Sequence, residues 1–169
     1  MLGARAELGP VTTRLLLQVG STPTSYYAAE PRRAGGTASG ATDANLWKYV
    51  QTATLAWQAT SKLKVEGGIF LSPIGAEQMA VKDNFTYSRS NLFFGLPFYH
   101  TGLRGSYALS DAFEVGLAAY NGWNSVVDNN AAKSVFAQYK FTPDTDTTLS
   151  LLYFTGIERS PGSPEGQRF

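Results

Sequence analysis

Few residues in this 169-residue chain can carry chemistry. His100 is the only histidine and there is no cysteine, which removes thiol nucleophiles, Cys-based zinc sites and disulfide frameworks together. Any histidine-dependent reaction must therefore pass through His100. A Ser-His-Asn relay could draw on Ser88 or Ser90 with Asn91, but neither serine stands in a nucleophile motif, and a histidine beside Tyr99 at a strand mouth is more often an interfacial residue than a catalytic one. Asp128, Asn129 and Asn130 offer hard oxygen donors of the kind Ca²⁺ accepts, yet one carboxylate without partners at ligand spacing makes a poor site. Transition metals need clustered donors. The expectation is no enzyme, no metal and no cofactor. What remains is charge: Arg5, Glu7, Arg14, Lys64, Glu66, Arg104, Glu114 and Lys140, each flanked by uncharged or apolar positions.

The spacing of those charges is that of extended chain. Leu2, Ala4, Ala6 and Leu8 alternate with Arg5 and Glu7, and Leu15, Leu17 and Val19 alternate with Arg14 and Gln18. Leu63, Val65, Ile69 and Leu71 oppose Lys64 and Glu66; Leu103, Tyr107 and Leu109 oppose Arg104. Phe113, Val115 and Leu117 oppose Glu114, and Val135, Tyr139 and Phe141 oppose Gln138 and Lys140. A period of two means a strand with one apolar and one polar face. Leu16, Phe70 and Phe136 break the rule on the charged side, and the segments 49–59 and 147–155 are ambiguous in phase.

The connections alternate between short and long. Gly9-Pro10, Thr60-Ser61-Lys62, Ser110-Asp111-Ala112 and Thr142-Pro143-Asp144-Thr145-Asp146 are built from turn formers, whereas the links 21–45, 72–98, 122–132 and 156–169 are long. Tight turns on one side and long loops on the other are characteristic of outer-membrane barrels, and a soluble up-and-down barrel has no reason to sort loop lengths by side. Segments of about nine to eleven residues suit tilted membrane strands. Aromatic residues near segment ends (Trp47, Tyr49, Trp57, Tyr99, Phe113, Tyr120, Tyr139, Phe141 and Tyr153) would form interfacial girdles. A hydrophobic content of 43% and a mean hydropathy of −0.16 are too polar for helical spans of about 20 apolar residues. A net charge of +1 supplies no basic stripe for nucleic acid.

The expected architecture is all-β: an antiparallel up-and-down transmembrane β-barrel, about eight strands in a single domain over residues 1–169. With the short links in the periplasm, both chain ends fall on the outer side, which predicts a piece of a larger barrel with further strands before Met1 and after Phe169. Residues 1–10 carry no secretion-signal pattern.

One run of residues is more specific than the pattern. Tyr87-Ser88-Arg89-Ser90, Pro97-Phe98-Tyr99-His100-Thr101-Gly102, and Asn121-Gly122-Trp123-Asn124 with Asp128-Asn129-Asn130 and Lys133 resemble the signature of the β-barrel porin family called porin-2, or OmpL-like. The resemblance covers about fifty residues by motif and the flanks by strand pattern. It implies a bacterial outer-membrane channel of larger strand number. Within the run, Arg89 is a candidate for lining a constriction or for anchoring its loop by a hydrogen-bond fork. Pro97 is expected to set entry into a strand, with Phe98 and Tyr99 at the interface, Asn121-Gly122 in a reversal and Trp123 in the outer aromatic belt.

The expected role is passive diffusion of small hydrophilic solutes through an outer-membrane pore in a Gram-negative bacterium. The eight charged residues line that pore, and their five-to-three basic excess hints at anions. The lipid bilayer is the expected partner, with no nucleic acid and an oligomer left open. The competing readings are a non-conducting barrel with a structural or adhesive role, a His100-dependent hydrolase and a soluble ligand-binding barrel.

Overall fold

Period-two alternation becomes eight strands: β1 (Leu2–Leu8), β2 (Val11–Leu17), β3 (Val50–Gln58), β4 (Leu63–Leu71), β5 (Tyr99–Ala108), β6 (Phe113–Tyr120), β7 (Ser134–Phe141) and β8 (Leu149–Thr155). The structure is a computed structural model and describes residues 1–27, 47–128 and 132–156. Each strand pairs antiparallel with its neighbour in sequence, giving one meander in the order β1 to β8. The sheet is open, since β1 and β8 do not pair with each other. Among the described residues, the short helices α1 (Ser21–Tyr27) and α2 (Asn91–Phe94) and a 3-10 turn at Val81–Asp83 lie in the connections.

The turns form where their residues dictate. Thr60 Oγ1 accepts from the Leu63 amide at 2.9 Å, and the Leu109 amide donates to the Phe113 carbonyl at 2.8 Å. Asp144 Oδ1 accepts from the amides of Asp146 and Thr147, which favour its ionised form and hold its carboxyl below the usual range. Of the long connections, 72–98 is described throughout. Residues 28–45 of the first, Asn129, Asn130 and Ala131 of the third and 157–169 of the last lie outside the described residues.

Register decides the faces. One row of directly opposed residues crosses all eight strands: Glu7, Thr12, Ala56, Glu66, Arg104, Ala118, Phe136 and Phe154. The adjacent row on the other face reads Leu8, Val11, Trp57, Val65, Gly105, Leu117, Ala137 and Tyr153. Opposed residues in an antiparallel ladder share a face, so the two segments of uncertain phase are settled. Thr52, Thr54, Ala56 and Gln58 of β3 and Ser150, Leu152 and Phe154 of β8 join the charged face. Leu55, Trp57, Leu151 and Tyr153 join the apolar one, and each is about half exposed or more.

The strands run seven to ten residues, and only β3, β4 and β5 reach the length of about nine to eleven expected of the segments. A register shift between Leu16 and Leu17 opposes Leu17 to Val50 and leaves Gln51 as an extra residue. The extra residue lies on β3, at the long-loop end of the β2–β3 ladder, where a bulge locally raises the twist. The outer strands β1 and β8 each have one neighbour and extend only as far as its ladder.

Two glycines set how closely the central strands approach. Gly68 and Gly102 are direct partners in β4 and β5. A Cβ on Gly68 would overlap the Ala53 carbonyl oxygen, and one on Gly102 would overlap that of Ala119 and lie 2.9 Å from Tyr120 Cα. Gly68 also has φ +131°, open to glycine and strained for other residues.

Candidate functional site: the charged face and its infolded loop

All eight charged positions singled out in the sequence share one face of the sheet. At its centre Glu66 of β4 accepts two hydrogen bonds from its cross-strand partner Arg104, from Nε at 2.9 Å and Nη2 at 2.6 Å. The Arg104 guanidinium stacks over Phe70 at 4.2 Å, and Lys64 Nζ stands 4.0 Å from the same Glu66 oxygen. Glu114 is opposed to Lys140. Glu66 with Arg104 and Glu114 with Lys140 thus put opposite charges side by side on neighbouring strands. Arg5 and Arg14 depart from that pattern, being directly opposed like charges. Arg5 instead forms an ion pair with Glu7 two residues along its own strand, and Arg14 also faces Thr54.

Toward the long-loop ends the same face changes character. Phe70, Tyr120 and Phe136 are buried there, with Leu152, Phe154 and Ile74 packed against them. His100 is fully buried, its ring stacked on Tyr120 at 4.3 Å and 14°. Tyr120 was expected in an interfacial girdle, but the register places it opposite Gly102 and Ser134 on the charged side. Trp123, expected in the outer belt, stands edge-on to Phe154 at 5.4 Å on that side as well. The apolar breaks at Phe70 and Phe136 signalled this cluster, but its assembly needs the register. The remaining aromatics of the turn-side ends, among them Trp57, Phe113, Tyr139 and Tyr153, lie on the apolar face, with Phe113 stacked on Phe141 at 4.5 Å.

Among the described residues, the start of the connection 72–98 folds onto this face. Pro73 borders the Lys64, Glu66 and Arg104 group, and Ile74 reaches the aromatic cluster. A polar relay fixes its start. The Ile74 amide donates to Ser72 Oγ at 3.1 Å, Ser72 Oγ lies 3.1 Å from His100 Nε2, and His100 Nδ1 lies 3.1 Å from the Gly122 carbonyl. A carbonyl only accepts, so Nδ1 carries the hydrogen and neutral Nε2 accepts from the Ser72 hydroxyl. His100 thereby ties two long connections to β5. Among the described residues no carboxylate joins Ser72 and His100, and the arrangement reads as a latch.

The motif residues have loop-building contacts. Arg89 donates to the carbonyls of Gln78 and Met79 and stacks over Phe93 at 4.0 Å. Ser88 accepts from Thr86 through its carbonyl at 2.9 Å. Ser90 caps α2, its Oγ accepting from the Phe93 amide at 3.2 Å while it donates to Glu77. Those hydrogen bonds hold the exposed Glu77 carboxyl below its ordinary 4.5. After Pro97, the Phe98 amide donates to Asn124 Oδ1 at 2.6 Å, and the Tyr99 hydroxyl donates to the Asn124 carbonyl at 2.9 Å. Tyr99 is buried under α1, stacked on Tyr27 at 4.2 Å, and so is no bare interfacial ring. Asn121 Nδ2 donates to the Val126 carbonyl, and Lys133 reaches both Asn121 and Asp128. Gly122 has φ +149°. Asn129 and Asn130 lie outside the described residues.

A family model described as "Putative beta-barrel porin-2, OmpL-like" matches residues 1–169, the whole chain. The chain belongs to that family. No curated protein and no solved structure matches it. For a member of a β-barrel porin family, the two unlike faces have a common cause. Leu103, Leu117 and Leu151 are 58%, 66% and 72% exposed on one side, bare apolar side chains suited to acyl chains. Charged side chains are confined to the other side, where water can reach them.

Proposed function

We propose that this porin-family chain forms part of the wall of an outer-membrane channel through which small hydrophilic solutes diffuse passively. The observation that carries the reading is the unbroken segregation of faces: Arg5, Glu7, Arg14, Lys64, Glu66, Arg104, Glu114 and Lys140 all on one side and the large exposed apolar residues on the other. A charge on the lipid side near the bilayer midplane costs roughly 2–4 kcal/mol, so confinement of charge to one face supports a solvated lumen. The connection 72–98, folded onto that face, is the element that narrows the pore. Arg89 acts in this reading as the clamp of that loop, with its guanidinium engaged by Gln78, Met79 and Phe93. Five basic residues against three acidic ones on the described wall favour anions modestly. The reaction inventory calls for no catalysis, and the host is a Gram-negative bacterium.

The test is conductance. The full-length protein, purified in detergent and added to a planar bilayer, is expected to give discrete, ohmic openings with a reversal potential displaced toward anions. Silence at high protein load overturns the channel. A second reading, a non-conducting barrel, is favoured by one feature: the aromatic cluster of Phe70, Tyr120 and Phe136 with Ile74 fills part of the interior face. Silence in bilayers from protein that is folded and inserted would select it.

A further inference from the structure

Below the aromatic cluster the charged face holds a notch of about 260 Å³. Its floor is Ser106 and Gly116, opposed residues of β5 and β6 whose small size opens the wall. Lys64 and Gln138 stand at its two sides in the same cross-strand row. Glu66 and Arg104 lie above it with Tyr120, Glu114 lies below, and Pro73 of the infolded connection overhangs it.

We propose that this notch is a binding subsite for a neutral polyhydroxylated solute of monosaccharide size, a specificity that rests on reading this face as solute-facing. Three observations lead there. The volume lies just under the ~300 Å³ at which pockets for drug-sized ligands begin, so it suits a single small ring. The rim charges cancel: Lys64 and Arg104 against Glu66 and Glu114. A bound anion would face two carboxylates and a bound cation two basic groups, and each like-charge approach is penalised. A hydroxyl both donates and accepts, so adjacent hydroxyls satisfy carboxylate and cation at once, with the Gln138 amide and Ser106 hydroxyl adding both capacities. Finally, the buried Tyr120 hydroxyl, on the notch wall, has the Arg104 side chain beside it but makes no hydrogen bond of normal geometry with any described residue, and a buried polar group so poorly satisfied favours a further partner.

A zwitterion fits less well. Glu66 is already held by two Arg104 nitrogens, and the groups left, Lys64 on β4 and Glu114 on β6, sit two strand spacings apart, about 10 Å at the backbone. An α-amino acid would need both side chains to lean inward across that spacing, whereas adjacent hydroxyls need no such approach.

The subsite is tested on the full chain folded in detergent micelles, with glucose as probe and inorganic phosphate and glycine as comparators, by saturation-transfer NMR and calorimetric titration. Saturable glucose binding that neither comparator displaces is expected. Ser106→Leu, which fills the floor, should weaken it by more than tenfold, and Gln138→Ala, which removes a rim amide without adding bulk, by about tenfold, the worth of one hydrogen bond. Heat-modifiability on gels checks that each variant folds. Absence of saturable glucose binding by folded wild type, displacement by phosphate, or undiminished binding in folded Gln138→Ala overturns the subsite. Bilayer recordings separate the two readings: binding with silent bilayers removes the channel and keeps the subsite, and conduction without glucose binding removes the subsite alone.

Discussion

Replacement of Gly102 by alanine tests the sheet at the point where its strands come closest. A Cβ there would overlap the Ala119 carbonyl oxygen and crowd Tyr120 Cα at 2.9 Å and the Ala119 carbonyl carbon at 3.1 Å. All three atoms belong to the backbone, so no side-chain rotation relieves the clash. β5 and β6 must move apart locally, loosening the ladder around Gly102 and Tyr120. One or two backbone groups losing partners at ~1–3 kcal/mol each sets the expected loss at about 2–4 kcal/mol. Gly116→Ala is the internal control, since its Cβ would find its nearest atom at 3.6 Å, an ordinary contact with Gln138. Removing a glycine's freedom in the unfolded chain makes that change neutral or stabilising by ~0.4–1 kcal/mol. Urea unfolding in lipid vesicles, followed by gel mobility without boiling, reads both. Equal stability of the two variants, within about 1 kcal/mol of wild type given the expected gap, would refute the close approach of β5 and β6.

Other outcomes follow from the same geometry. Leu103→Lys, on the apolar face, should lower folding yield into vesicles at a cost of roughly 2–4 kcal/mol, whereas Thr12→Lys, opposite Glu7 on the charged face, should retain channel activity; the reverse order would invert the faces. Glu66→Gln removes the carboxylate shared by Arg104 and Lys64, and a bilayer reversal potential should shift toward anions. Asn124 has φ +53° and accepts from the Phe98 amide, so Asn124→Ala should lose roughly 1–3 kcal/mol and expose the 121–128 connection to protease, while Asn124→Asp keeps the acceptor and resists. Glu77, whose carboxyl is depressed by Ser90, contributes order to the α2 cap that is present above its ordinary 4.5 and lost as pH falls through its lower folded value. Proteolysis of the 77–90 segment should therefore accelerate only in acid, and Glu77→Gln should abolish that pH dependence.

What the sequence determined by itself was the apolar and the polar face of every strand but β3 and β8. Lipid and water select side chains one at a time at a period of two, so Arg14, Glu66, Arg104 and Lys140 could be assigned to a common face without knowing what stood beside them, and turn formers such as Gly9-Pro10 marked the reversals. The family was legible for a similar reason, because Ser88-Arg89-Ser90 and Asn121-Gly122-Trp123 are local strings. Only the tertiary structure decided neighbours. That Arg104 meets Glu66 while Arg5 faces Arg14 depends on register, which one slipped residue would change. Tyr120 and Trp123 look like girdle aromatics because an aromatic near a strand end has the same one-dimensional context on either face. Their place in the interior is set by β6 pairing with β5 and β7, by the room left over Gly68 and Gly102, and by the connection 72–98 folding back on them. Loop conformation depends on such contacts between residues distant in the chain, among them His100 with Ser72 and Gly122, and these have no periodicity for a sequence to display.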